Sequence, residues 1–103
     1  MSLRRVNPKR DRNEPAVIKA LNDCGAITYR LSGTGLPDLL VGWRGVWLLL
    51  EVKAPKGRME PDQVIFHATA KALGLPCYRV NTDEAALDVL GLDHSKPGVK
   101  PSP

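Results

Sequence analysis

Apolar and polar positions alternate with two different periods along this chain. Val17, Ile18 and Leu21 follow helical spacing after Asn13 and Pro15, so a first helix is predicted over about residues 14–24, capped by Asn13 and stopped by Gly25. Residues 26–31 are β-prone and short, and a flexible Ser-Gly-Thr-Gly loop follows at 32–35. Residues 36–41 read as a second strand with Pro37 confined to its start, 42–45 as a hairpin turn, and 46–53 as a third strand, the most apolar segment. Pro55 and Gly57 keep 54–58 irregular. Pro61 opens a second helix to about Leu73, apolar on more than one face and so expected to be buried on several sides. Residues 77–80 form a short fourth strand, and Thr82 caps a third helix ending near Gly91. The predicted order is αβββαβα, an α/β domain with a mixed sheet flanked by helices.

Composition bounds this picture. At 103 residues, 43% hydrophobic and 25% charged, the chain is one ordinary globular domain. Its longest apolar run, 46–50, is far short of a membrane span, and no secretory leader is read at the N-terminus. Cys24 and Cys77 lack metal-ligand spacing and read as reduced, small buried hydrophobes, so a cytoplasmic setting is expected. The +4 net charge is uneven: residues 1–12 hold Arg4, Arg5, Lys9, Arg10 and Arg12 against Asp11, and the remainder balances. The organisation read is a basic arm (1–12), a folded domain (13–91) and a loose Pro-rich tail (92–103). A basic arm attracts phosphate backbones without reading sequence, although it also serves as a solubilising tail.

The third strand carries polar groups where they are costly. Val46, Leu48, Leu50 and Val52 share an aliphatic face that must be core, whereas Trp47, Leu49, Glu51 and Lys53 share the other. A carboxylate and an ammonium at the end of such a face need solvent, a partner or a metal. Taken alone, Glu51 and Lys53 read as an ion pair at a strand end.

Asp38 changes that. It stands 13 residues before Glu51, and the hairpin between them brings the two carboxylates together. Adjacent carboxylates raise each other's pKa unless a cation lies between them. Mg²⁺ suits one or two carboxylates, several waters and a substrate phosphate. The Val52 carbonyl could be a further ligand, and Lys53 could orient a water or steady the transition state of phosphodiester hydrolysis. Glu14 shares the inward face of Val17 and Ile18, and reads equally as a site member or as a complement to the helix dipole.

The residues Gly35-Leu36-Pro37-Asp38, then Glu51-Val52-Lys53, match the PD-(D/E)XK nuclease signature. The wider string, 33–41, then 50–59, then Pro61 and Gln63, resembles the VRR-NUC (virus-type replication-repair nuclease) branch over about residues 14–90. That resemblance implies Asp38, Glu51 and the Val52 carbonyl as Mg²⁺ or Mn²⁺ ligands. It implies Glu14 assisting directly or through water, Lys53 as catalytic, and Gln63 near the site. It further implies a stand-alone homodimer of phage or bacterial type, similar to Holliday-junction resolvases. The function expected is a metal-dependent, structure-selective DNA endonuclease acting on branched DNA. The rivals are a non-catalytic nucleic-acid-binding module with the same fold and a sequence-specific restriction-type nuclease. The latter is disfavoured because little chain remains to build a base-reading element.

Arg58, Lys56 and Arg44 lie in loops expected beside the site, and with Arg4, Arg5 and Arg10 on the arm they are candidate DNA contacts. Trp47 is expected in core or interface, and Trp43, at the turn, against DNA or a second subunit. His67 and His94 have no partner at ligand spacing. The extra apolar face of the second helix, including Phe66 and Ala70, is a candidate dimer surface or a second core layer.

Overall fold

A computed structural model describes residues 12–91; Arg4, Arg5, Arg10, His94 and nearly all of both tails lie outside that range. The order is α1 (Glu14–Asp23), β1 (Ile27–Arg30), β2 (Leu39–Trp43), β3 (Val46–Val52), α2 (Pro61–Ala72), β4 (Cys77–Val80) and α3 (Asp83–Val89). This is the predicted αβββαβα order. The four strands lie side by side in sequence order, β1 to β3 antiparallel and β4 parallel to β3.

Alternation on β3 decides where the core sits. Leu48, Leu50 and Val52 are buried, with Leu39, Val41 and Trp43 of β2 beside them and Val80 of β4 across from Val52. Val17 and Leu21 of α1, Ala86 of α3 and Leu90 just after it close over that face. Full burial of a Leu or Val side chain stabilises by about 1.5–3 kcal/mol, so this single layer supplies most of the hydrophobic free energy.

The hairpin is tighter than expected. β2 runs on to Trp43, and the turn is reduced to Arg44 and Gly45, both at positive φ (46° and 83°), a combination that two-residue turns between twisted strands require. Trp43 therefore faces the core and not DNA or a partner, with the Arg44 guanidinium stacked 4.7 Å from its ring centre. Asp38 falls just before β2 instead of within it.

The opposite face is thinly covered. α2 lies over β4, and only its Ala70 is buried; Val64 and Ile65 stay exposed, Ile65 by 63%. The expectation of a helix buried on several sides is corrected here: the sheet meets one stripe of α2, and no other described element covers the rest. Trp47, 54% exposed, is not core. Its indole lies over Gly42, where an added Cβ would come within 2.9 Å of the ring.

Candidate active site

Three chain segments end at one end of the sheet: the C-terminal ends of β1 and β3 and the start of β2. Antiparallel pairing of Arg30 with Leu39 and of Leu39 with Leu50 sets them side by side. Asp38 precedes the first paired residue of β2, and its Oδ2 accepts the backbone N–H of Val52 at 2.8 Å. N–H and C=O of one strand residue project to the same side, so the Val52 carbonyl also opens toward Asp38. The N–H of Lys53 donates to Val80 on the other side.

Glu51 follows the alternation onto the α2 face and is 1% exposed. Its Oε2 accepts from Gln63 Nε2 at 2.9 Å and lies 3.4 Å from Lys53 Nζ. Its Oε1 is buried and has no hydrogen-bond partner among the described residues. Burial, then the nearby Asp38 charge, push the Glu51 carboxyl up to about 7, against the opposing pull of Lys53. A buried carboxylate with an unanswered oxygen beside a second carboxylate is what a divalent cation would relieve. Asp38, Glu51 and the Val52 carbonyl are the oxygens that could hold one.

Gln63 owes its orientation to its own helix. Its Oε1 accepts the N–H of Glu60, the α2 N-cap, at 2.8 Å, so the NH₂ end is left for Glu51. The loop before Asp38 touches the same turn. A Cβ on Gly35 (φ 79°) would meet Asp62 at 3.0 Å, so glycine there lets the loop and α2 approach. A shallow cavity of about 380 Å³ opens between them, lined by Thr34, Gly35, Glu60, Pro61, Asp62 and Gln63.

Glu14 is 1% exposed at the start of α1, on the inward face as read from the sequence. Its Oε2 accepts from Arg30 Nε at 3.2 Å. Among the described residues no three His, Cys, Asp or Glu side chains gather as a metal-holding group. Asn13 does not cap α1 through its side chain as expected. Its Nδ2 donates to the carbonyls of Lys53 (3.0 Å) and Asn81 (2.8 Å), tying the start of α1 to the ends of β3 and β4.

The loop cations divide. Lys56 and Arg58 are exposed in the segment leaving Lys53, whose turn is closed by Gly57 N–H on the Ala54 carbonyl and held by Arg79 Nη2 on the Gly57 carbonyl at 2.8 Å. Arg44 is not beside the site: it sits at the hairpin tip, about 17 Å away along five antiparallel residues. Cys24 and Cys77 are half-buried and free, and Cys77 Sγ lies 3.7 Å from His67 Nδ1, a neighbour the sequence spacing did not reveal. Asn13, Arg30 and Arg79 were likewise missed. Their partners lie 40, 16 and 22 positions away, and no local periodicity records such a contact.

No protein-family model matches this chain, and no curated protein does. Among solved structures it is similar to one described as a VRR_NUC domain, with a TM-score of 0.65 and 26% identity, across 79% of this chain and 97% of that one. The sheet, its helices and this likeness define a mixed α/β domain with a nuclease-type fold. The VRR-NUC resemblance carried by the Gly35–Asp38 and Glu51–Lys53 segments is borne out.

Proposed function

We propose that this chain is a Mg²⁺- or Mn²⁺-dependent DNA endonuclease that hydrolyses phosphodiester bonds in branched DNA, in the manner of a Holliday-junction resolvase. A nuclease-type function is what the VRR_NUC likeness supports. The observation that carries the finer reading is the buried Oε1 of Glu51 beside Asp38, without a hydrogen-bond partner among the described residues, with Lys53 Nζ 3.4 Å from the other oxygen. A pure binding module gains nothing from acids gathered where phosphates must approach.

Asp38, Glu51 and the Val52 carbonyl would hold the ion, two carboxylates and a carbonyl being enough for a cation that keeps its waters. Bound there, Mg²⁺ or Mn²⁺ supplies Lewis-acid polarisation of the phosphate and lowers the pKa of a water. Asp38 is aimed by the Val52 N–H. Gln63 holds Glu51 Oε2, and Oε1 would be the oxygen offered to the ion. Lys53, half-buried, presents an ammonium to the charge that develops on the phosphoryl oxygens. Glu14 acts at one remove, through its pairing with Arg30. Lys56, Arg58 and the arm arginines Arg4, Arg5 and Arg10 add charge along the DNA.

The homodimer reading is supported by the uncovered sheet face. Ile27, Gly42 and Trp47 form one paired row across β1, β2 and β3, and exposed Tyr29 stands in the next. With Val64 and Ile65 of α2 also exposed, the described residues leave an apolar surface of the kind a second subunit covers. No described helix is long and apolar enough to cross a membrane.

The deciding assay offers labelled four-way junctions, flaps and linear duplex with Mg²⁺, Mn²⁺ or chelator. Metal-dependent cuts in the junction, lost in Asp38→Ala, are expected. Cleavage by Asp38→Ala at the native rate would overturn the site. A fixed cleavage sequence in linear duplex would favour the restriction-type rival.

A further inference from the structure

Arg30 combines two properties that seldom meet in one surface side chain. It is 57% exposed, yet its Nε is bound at 3.2 Å to a carboxylate, that of Glu14, which is itself 1% exposed. A guanidinium has five N–H donors in a rigid fork. One is committed to Glu14, and the outer four have no partner among the described residues. The buried acid therefore fixes the direction of the fork without using its outer edge.

Arg30 closes β1 opposite Leu39 and so lies on the α1 face of the sheet, the face opposite to that of Glu51. The N–H of Leu31 donates to the Asp38 carbonyl at 2.8 Å. The neighbouring strand residue is thus bonded to the backbone of a proposed metal ligand. An ordinary surface arginine loses rotamer freedom when it grips an anion; one already held by a buried carboxylate has lost much of it in folding. A planar fork with free N–H groups matches a phosphate.

We propose that Arg30 is a phosphate-binding residue, holding a backbone phosphate of DNA at the end of the sheet that carries Asp38, with Glu14 as the positioning residue that aims it. This rests on the reading of the chain as acting on DNA, and extends it to a residue and a subsite. It also gives buried Glu14 a role that needs no direct contact with metal.

The test compares Glu14→Gln with Glu14→Gln/Arg30→Gln, so that no uncompensated buried charge is left in the double variant. Binding of a fluorescently labelled four-way junction to the full chain is measured in chelator across a salt series, with circular dichroism checking the fold. Each phosphate neutralised contributes about 0.9 to the slope of log K against log salt. The double variant is expected to lose about 0.9 of slope relative to Glu14→Gln, so its affinity falls about 3.5-fold less between 50 and 200 mM salt. In the wild-type background, Arg30→Lys is expected to keep the slope and Arg30→Gln to lose it. Equal slopes for Arg30→Gln and wild type, or for the double variant and Glu14→Gln, would overturn the proposal. A wild-type chain that binds with the Arg30-dependent slope but cuts nothing in Mn²⁺ would sink the nuclease reading and leave this one standing.

Discussion

Gln63 and Glu51, on different elements 12 residues apart, meet at 2.9 Å, amide nitrogen to carboxylate oxygen, and the geometry of α2 enforces the contact. The other end of the Gln63 amide is taken by the N–H of the helix's N-cap, Glu60. A capping interaction thus orients a group at the centre of the proposed metal site.

Gln63→Ala removes both roles. The helix is expected to lose about 1 kcal/mol from its cap. Mn²⁺ affinity should fall on the order of 10–100-fold, the usual cost of losing a group that orients a ligand. Calorimetric titration of Mn²⁺ and chemical denaturation separate the two. Gln63→Glu keeps the cap acceptor but sets a second carboxylate against Glu51, so the helix should survive while Glu51 is pushed further up.

Glu51 ties stability to pH. Its carboxyl ordinarily titrates near 4.5 and is raised to about 7 in the fold, so over that window the native state holds a proton that the unfolded chain has lost. Stability of the metal-free protein should therefore fall as pH rises from about 4.5 to about 7 and level off above. Urea midpoints across pH check this, and Glu51→Gln should flatten the slope in that window. Mn²⁺ competes with the same proton, so its affinity should climb with pH and level off above about 7.

Asn13 tests how far the scaffold controls the site. Asn13→Ala removes two hydrogen bonds that pin the ends of β3 and β4, at a cost of about 1–3 kcal/mol. Asn13→Asp should cost more although it is nearly isosteric, since it turns a carboxylate oxygen on two carbonyls. Thermal unfolding ranks the two.

The open sheet face predicts an oligomer. Trp47→Glu places a charge at the β3 end of the Ile27–Gly42–Trp47 row, where the side chain is exposed in the single chain. The fold should remain, and sedimentation is expected to show dimers for the native chain and monomers for the variant. An unchanged sedimentation coefficient would place the dimer contact elsewhere.

Element order and the division of β3 into a core face and a site face were readable in the residues, because periods of 2 and 3.6 are local properties of the backbone. So was the approach of Asp38 to Glu51, since a hairpin joins segments close in sequence. Beyond local pattern, packing decided. Trp43 turned inward because the turn shrank to Arg44 and Gly45, and α2 stayed largely exposed because one sheet edge could meet only one of its stripes. The grip of Arg30 on Glu14, of Asn13 on Lys53 and of Gln63 on Glu51 depends on where separate elements come to rest. Such contacts are set by the summed burial of the whole core and have no signature in any short stretch of chain.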